Sequence, residues 1–365
     1  MTSKFPKPVP SFLVVAAVAA GLISGCGSDD SGSGSDEPDA GLTAVKSYLT
    51  EHSADLVAQT DAMKTAGDAY YDLAKANGFN YAAMLKQDGE AVNAALTDAK
   101  NAFVKANPAY EEMEGIVAGI PRTAQYDTDI DAGSDASDPE SAVSFNLTLP
   151  NGKVMKQPGN LFYLIETSLY GTNDDLTAKG VKPDVNGDGK VAFGEGLPEA
   201  NVFKASVDEL NKQARDLDKD AQEIVITPSD AFTAITVMTP TMSEYFEQWK
   251  LSSFVAGEKN SEEAGFVATS RLSDIADILT GIDFTYEEIE PQIAEENADQ
   301  AEQTAAELGN LLSSAEDLRD REAAGEKFSA RQADQLGAEM QARAERIAGQ
   351  VTQAAKDLDI EIQEG

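Results

Sequence analysis

"AVKSYLTEHSADLVAQT", residues 44–60, repeats its apolar side chains at intervals of three and four. Val45, Tyr48, Leu49, His52, Leu56 and Val57 fall along one stripe, and Met63 extends it. A half-buried strand would alternate every second residue. Intervals of three and four follow the 3.6-residue turn instead, and they predict an amphipathic helix from Leu42 to Asn77. The same pattern covers roughly 80–106, 108–119, 158–170, 198–223, 228–257, 262–281, 285–317 and 329–357. Asn107-Pro108, Thr227-Pro228 and Gly325 punctuate it, with Ser229 and Ser329 in turn or cap contexts. Strand signals are few. Phe145 to Leu149 alternates and runs into Pro150-Asn151-Gly152, the pattern of a small hairpin. The expected fold is all-α, with an N-terminal helical bundle at 42–120, an irregular insert at 121–197 and a C-terminal bundle at 198–358. Many helices joined by short loops make antiparallel bundles.

The first residues belong to a different kind of segment. Lys4 and Lys7 precede an apolar run from Phe12 to Ile23, the order of an export signal. That run is shorter than the roughly 20 residues a membrane-spanning helix needs. Its end, Leu22-Ile23-Ser24-Gly25-Cys26, resembles a bacterial lipobox. The resemblance implies a lipoprotein signal peptide at 1–25, cleavage before Cys26 and lipid on the Cys26 thiol. Cys26 is the single cysteine of the chain, so no disulfide can form within it. Residues 26–41, rich in Ser, Gly and Asp, read as a flexible tether that cannot bury enough apolar surface to order itself. The expected location is the cell envelope, with the membrane reached through Cys26. Periplasmic, outer-membrane and cell-surface placements all remain open.

Acidic residues number 64 against 28 Lys and Arg, a formal charge of −36. Such a surface repels nucleic acid and anionic headgroups, so neither is expected as a partner. It suits cations or plain solvation.

"DVNGDGKVAFGE", residues 184–195, interrupts the helical composition. Asp184, Asn186 and Asp188 alternate, Gly189 follows, and Glu195 comes six residues later. In an EF-hand loop, positions 1, 3 and 5 give side-chain oxygens, position 6 is a glycine, position 7 gives a carbonyl, position 9 acts through water and position 12 chelates. Here these are Asp184, Asn186, Asp188, Gly189, Lys190, Ala192 and Glu195, with Val191 at the position that packs inward. Ca²⁺ wants six to eight oxygens, which a chain coiled around it can supply. The plain alternative is an acidic turn with no ion. Pro183 and Gly180 leave no room for a long entering helix. The loop therefore looks like the calcium sites of bacterial extracellular proteins more than those of intracellular sensors. A weaker echo lies at 127–138, where Asp127, Asp129, Asp131, Asp135 and Asp138 occupy positions 1, 3, 5, 9 and 12. Ala132 and Ser134 replace its turn glycine and apolar anchor, so this stretch reads first as a solvated acidic loop.

Further segments carry a family resemblance. Ala44 to Thr60 looks like the opening helix of the imelysin-like family, which includes the EfeO/EfeM periplasmic iron-uptake lipoproteins. "NPAYEEMEGIVAGI" at 107–120, "GNLFYLIETSLYG" at 159–171 and "LSSFVAGEKNSEEAGFVATSRLSDIADILTGI" at 251–282 resemble later segments in the same order. The resemblance covers most of 42–355 apart from the calcium-loop insert. It implies a pair of antiparallel helical bundles and a role with iron-transport partner proteins. The family's Gly-x-His-x-x-Glu signature falls on Tyr163 and Glu166, and its paired glutamates on Glu111 and Glu114. A further family acid falls on Ala118. Tyr163 and Glu166, three apart, share a helix face, and phenolate and carboxylate are hard ligands that favour Fe³⁺ over zinc. Tyr163 in "LFYLI" also fits a core aromatic. His52, the single histidine, reads as a packed or capping residue.

No nucleophile–base pair, phosphate loop or His-Glu-x-x-His is present, so no enzyme is expected, whatever peptidase label the family carries. Two functional classes remain. One is an exported, lipid-anchored, calcium-binding component of an iron-acquisition system. The other is a calcium-stabilised surface lipoprotein for protein–protein contacts with no iron site. Labelled fatty acid should attach to the wild-type chain and not to Cys26→Ser; label retained on that variant would refute the lipobox reading.

Overall fold

The computed structural model describes residues 40–181, 183–186 and 188–363. Cys26, the signal segment and most of the tether lie outside them. Nine α-helices run through the described residues: α1 (Ala40–Ala76), α2 (Tyr81–Gly119), α3 (Ala124–Asp127), α4 (Leu161–Tyr170), α5 (Ala200–Glu223), α6 (Pro228–Met238), α7 (Met242–Leu251), α8 (Arg271–Ala323) and α9 (Ala330–Asp357). Two short antiparallel strands, β1 (Asn146–Thr148) and β2 (Val154–Lys156), form the expected hairpin.

The long helices bury apolar residues at the heptad interval. In α1, Leu49, Leu56, Met63 and Tyr70 stand seven apart and are fully buried. In α2 the buried set Val92, Leu96, Ala99, Phe103, Ala106, Tyr110, Met113 and Val117 alternates steps of four and three. Phe203, Leu210 and Leu217 repeat the sevenfold step in α5. A 3.5-residue repeat keeps one seam against a neighbouring helix along its whole length. These three helices, with α4, build the first core. A second core gathers α6 to α9, from Ala231 to Ala355. The bundle boundary therefore falls after α5. The expected division at 198 would place α5 with the second bundle, yet its apolar stripe belongs to the first.

Other boundaries also differ from the periodicity. Pro108 does not divide α2, which runs through it. Proline removes one backbone hydrogen bond and clashes with the preceding turn, and the buried residues on both sides outweigh that cost. The predicted helices at 262–281 and 285–317 are replaced by an irregular segment, 252–270, and one helix, α8, which passes Pro291 and kinks at Asn297. The predicted helix at 228–257 is divided by a 3₁₀ turn, Thr239–Thr241, at Pro240. The capping expectations map onto Thr227 and Ser329, each of which closes a capping box.

The bundles meet without room to spare. A β-carbon on Gly281 of α8 would lie 2.0 Å from the Glu112 carbonyl oxygen of α2, and one on Gly119 would lie 2.5 Å from the Ala234 Cα of α6. Arg122, just after α2, pairs with the buried Asp230 of α6 at 2.7 Å. Gly281→Ala should lower the unfolding free energy measured by urea titration by about 1–3 kcal/mol, the usual cost of overpacking; an unchanged value would mean that the helices can separate freely there.

Candidate functional site

Between the bundles lies a cavity of about 350 Å³, within the range of small-ligand sites, roughly 300–1,000 Å³. Helix α2 contributes Phe103, Asn107 and Glu114, while α4 contributes Phe162, Tyr163 and Glu166. Helix α7 adds Glu244, Tyr245 and Gln248, and Arg271 opens α8. Ala118 also lines the cavity. It is the position onto which the resemblance would place a further acid.

Acidic residues collect at one end. Glu111 and Glu114, three apart on α2, turn to the same side with Asp131, which leaves a π turn at Thr128–Ala132. These three can each offer an oxygen within 4.8 Å of the others. Glu111 is fully buried and Glu114 nearly so. Glu111 Oε1 accepts from Asn107 Nδ2 at 2.9 Å, and Glu114 Oε1 accepts from the Tyr245 hydroxyl at 3.0 Å. The second oxygen of each, Oε2, is buried with no hydrogen-bond partner. Asp127 accepts from the Tyr110 hydroxyl at 2.8 Å. Arg271 counters the cluster. Its Nη1 lies 3.1 Å from Asp274, 3.7 Å from Asp131 and 3.9 Å from Glu111. Its guanidinium sits over the Tyr245 and Phe266 rings.

One guanidinium cannot neutralise Glu111, Glu114, Asp127, Asp131 and Asp274 together. Burial, then the charges of Asp274 and Asp131, pushes Glu111 far above the ordinary carboxylate range. Burial raises Glu114 to about 7, with the neighbouring Glu111 carboxyl, the charge of Arg271 and the Tyr245 hydroxyl opposing. Asp274 rises to about 6 by burial, with Arg271 opposing. Without an added cation these carboxyls are driven toward the neutral form, because a buried carboxylate without a counter-charge is costly.

Tyr163 and Glu166 line the same cavity, and Tyr163 is half-buried rather than part of the core. Glu166 is engaged elsewhere. Its Oε2 accepts from the Phe266 amide at 2.7 Å, and its Oε1 from the Val267 and Ala268 amides, both at 2.8 Å. Its carboxyl is raised to about 7 by burial, which outweighs those three bonds.

The stretch 127–138 departs from the solvated-loop reading. Asp127 and Asp131 join the cavity's acidic end, and Asp129 turns back to accept from the Ser144 amide and hydroxyl at 2.7 and 2.6 Å. Asp135 caps Ser137 on the outside. The helical backbone at 124–132 points these acids in different directions, so they do not converge on a loop ion. A helical spacing signal was present, since Asp127 and Asp131 are four apart; the loop template concealed it. Arg271 and Asp274, three apart, were legible in the same way.

At 184–195 the side-chain oxygens fold over the turn. Asp184 Oδ2 accepts from the Gly189 amide at 2.9 Å, Asn186 Oδ1 from Asp188 at 2.8 Å and Asp188 Oδ1 from Lys190 at 2.8 Å. Glu195 reaches back to the Ala192 amide at 2.7 Å and the Asn186 amide at 3.4 Å. Gly189 has φ +85°, a conformation open to glycine. Asp184 Oδ1 is buried without a partner. Val191, expected to pack inward, is 52% exposed; no helix follows the loop closely enough to cover it. Gly187, at the loop's fourth position, lies outside the described residues.

His52 packs on the Tyr48 ring, and its Nδ1 lies 3.1 Å from Glu112. It is not among the residues lining the cavity.

An all-α protein of two bundles with an acidic, aromatic-walled cavity between them is the class these observations define. The imelysin family matches residues 40–353, and the chain belongs to that family. No curated protein matches it.

Near His52, burial, then the charges of Asp274 and Glu112, raises Asp277 to about 7, with Arg319 opposing. A raised carboxyl binds its proton more tightly in the folded chain. Stability is therefore fully present at acidic pH and is lost as pH climbs through about 7. Asp277→Asn should leave stability near wild type at about pH 4 and raise it at pH 8, by about 1–2 kcal/mol. Parallel unfolding curves at both pH values would show that Asp277 ionises without penalty.

Proposed function

We propose that this chain is an exported binding protein whose cargo is a hard, highly charged cation of the ferric class. Glu111, Glu114 and Asp131 supply the oxygens, and the cavity lined by Tyr163 and Tyr245 is the way in. The observation that carries this reading is the pair of buried oxygens, Glu111 Oε2 and Glu114 Oε2, without hydrogen-bond partners in a cluster that one guanidinium cannot balance. Carboxylates and phenols suit hard ions, and a trivalent ion would remove the charge deficit that now favours protonation. Membership of the imelysin family supports an iron-related role. The reading is of binding rather than hydrolysis, since the single histidine is engaged with Glu112 away from the cavity.

The loop at 184–195 is proposed to hold one structural Ca²⁺ through Asp184, Asn186, Asp188, the Lys190 carbonyl, a water at Ala192 and Glu195. The unpartnered Asp184 Oδ1 and the inward-turned Glu195 support it. An envelope location with a lipid at Cys26 and an iron-transport partner completes the proposal. A second reading, a calcium-stabilised scaffold for protein contacts with no iron, is favoured by one observation. Glu166, the family's signature acid, already spends its carboxylate on three backbone amides.

Elemental analysis separates the two readings. Purified chain loaded with ferric nitrilotriacetate and desalted should retain iron, and Glu111→Gln/Glu114→Gln should retain none while its helicity is unchanged. Equal iron on both proteins would move the site elsewhere, and none on the wild type would favour the scaffold.

Millimolar calcium should raise the melting temperature over chelator, since a ligand at a hundredfold its Kd stabilises by about 2.7 kcal/mol. Glu195→Gln should lose most of that shift. A wild-type transition that ignores calcium would leave 184–195 as a turn alone.

A further inference from the structure

Residues 252–270 contain no helix or strand, and connections longer than about 12–15 residues without their own secondary structure are uncommon outside functional loops. Three anchors hold this one down. The first is the Glu166 carboxylate, which takes the amides of Phe266, Val267 and Ala268 in succession. Receiving them bends the chain, since Phe266 has φ +53°, a conformation that costs a bulky residue. A β-carbon on Gly265 would stand 3.3 Å from Glu166 Oε2, so the strand of backbone lies directly on the carboxylate. The second is the Thr172 hydroxyl, which donates to the Ala264 carbonyl at 2.6 Å. The third is the Thr269 hydroxyl, which donates to Asn107 Oδ1 at 3.1 Å. Asn107 in turn donates from Nδ2 to Glu111 Oε1 at 2.9 Å. The segment also lays Glu263, Gly265, Phe266 and Thr269 along the cavity wall.

We propose that in this chain Glu166 is a positioning residue: it latches residues 252–270 over the cavity, and through Thr269 and Asn107 that latch fixes the orientation of Glu111. The proposal rests on the reading of Glu111 as a cargo ligand. Both Glu166 oxygens accept backbone hydrogens, so a metal would have to displace charge-assisted bonds to use them. Asn107 is the junction. With its Oδ1 occupied by Thr269, its amide group is held with Nδ2 toward Glu111. That leaves Glu111 Oε2 as its oxygen without a hydrogen-bond partner, in the group with Glu114 and Asp131.

Two measurements on the full soluble chain test this. The first is amide hydrogen exchange at residues 266–268, made without metal. Glu166→Gln should speed it by about ten- to a hundredfold, since the lost bonds are to a charged acceptor, and should weaken ferric affinity by no more than about the fivefold expected of Thr269→Val. The second is a double-mutant cycle on ferric affinity. Thr269→Val should weaken binding by about fivefold in the wild type, the scale of one neutral hydrogen bond, and by nothing further in a Glu111→Gln background. Unchanged exchange with lost iron in Glu166→Gln would make Glu166 a ligand and overturn the proposal. Equal losses from Thr269→Val in both backgrounds would overturn the relay. The exchange comparison decides the latch without metal, whereas failure of the wild type to take up iron would refute the cargo reading.

Discussion

The Arg271 guanidinium holds together parts of the molecule that would otherwise repel one another. It is buried at the start of α8 and lies against Asp274 on its own helix, Asp131 beyond α2 and Glu111 on α2. Two aromatic rings, from α7 and from residues 252–270, lie against it. Burying one charge among many is destabilising unless its partners are well placed. Here the partners exceed it in number, and the surplus is negative. Whenever these carboxyls ionise, the junction of the two bundles is short of positive charge. Under the proposed cargo reading, cation affinity would follow from that deficit more directly than from any single ligand.

The heptad seams are what allow the deficit to persist. Leu49, Leu56, Met63 and Tyr70 on α1, and their counterparts on α2 and α5, close the first core independently of the polar junction. The second core does the same from α6 to α9. The carboxyls at the seam between them are thus imposed on helices already fixed by packing. They cannot move apart to relieve their repulsion; they can only protonate, pair with Arg271 or accept a cation. Gly119 and Gly281 keep the bundles close enough for this to hold.

Periodicity made the long helices legible, and α5 and α9 follow it nearly residue for residue. It failed where tertiary contacts overruled local pattern. Residues 262–270 read as helix, but their amides are claimed by Glu166, a hundred positions earlier. No local rule anticipates that competition. Pro108 reads as a break because its cost is local, whereas the burial that overcomes it is not. Glu111 and Glu114 could be assigned to one helix face by their spacing. Their company of Asp131 and Arg271 could not, because it depends on how the chain returns from the β-hairpin and on where α8 begins. At 184–195 the template draws only on one local turn, and the structure keeps Asp184, Asn186, Asp188 and Glu195 folded over that turn while leaving Val191 exposed. The same template misdescribed 127–138, where a helical backbone sends Asp127 and Asp131 inward and Asp135 outward.

The loop at 184–195 is also tied to the helix that carries Tyr163 and Glu166. Gly196 follows Glu195 at the end of the loop, and a β-carbon there would lie 2.4 Å from the Gly171 amide nitrogen and 2.5 Å from the Leu169 carbonyl oxygen. Gly171, with φ +73°, is the cap of α4. Lys100 of α2 donates to the Gly194 carbonyl at 2.6 Å and lies over the Tyr170 ring. Burial lowers its pKa, with Glu195 opposing. Loop exit and the end of α4 are thus in direct backbone contact, with no flexible side chain between Gly196 and Gly171 to absorb a shift, and the Lys100 side chain ties both to the middle of α2. An ion that fixes Glu195 would fix Gly196, and Gly196 sets where α4 ends. The position of α4 in turn sets where Glu166 meets residues 252–270. A structural ion at the surface and a cargo site between the bundles would therefore share one rigid element, which accounts for an acidic surface loop being placed beside the helix that lines the cavity.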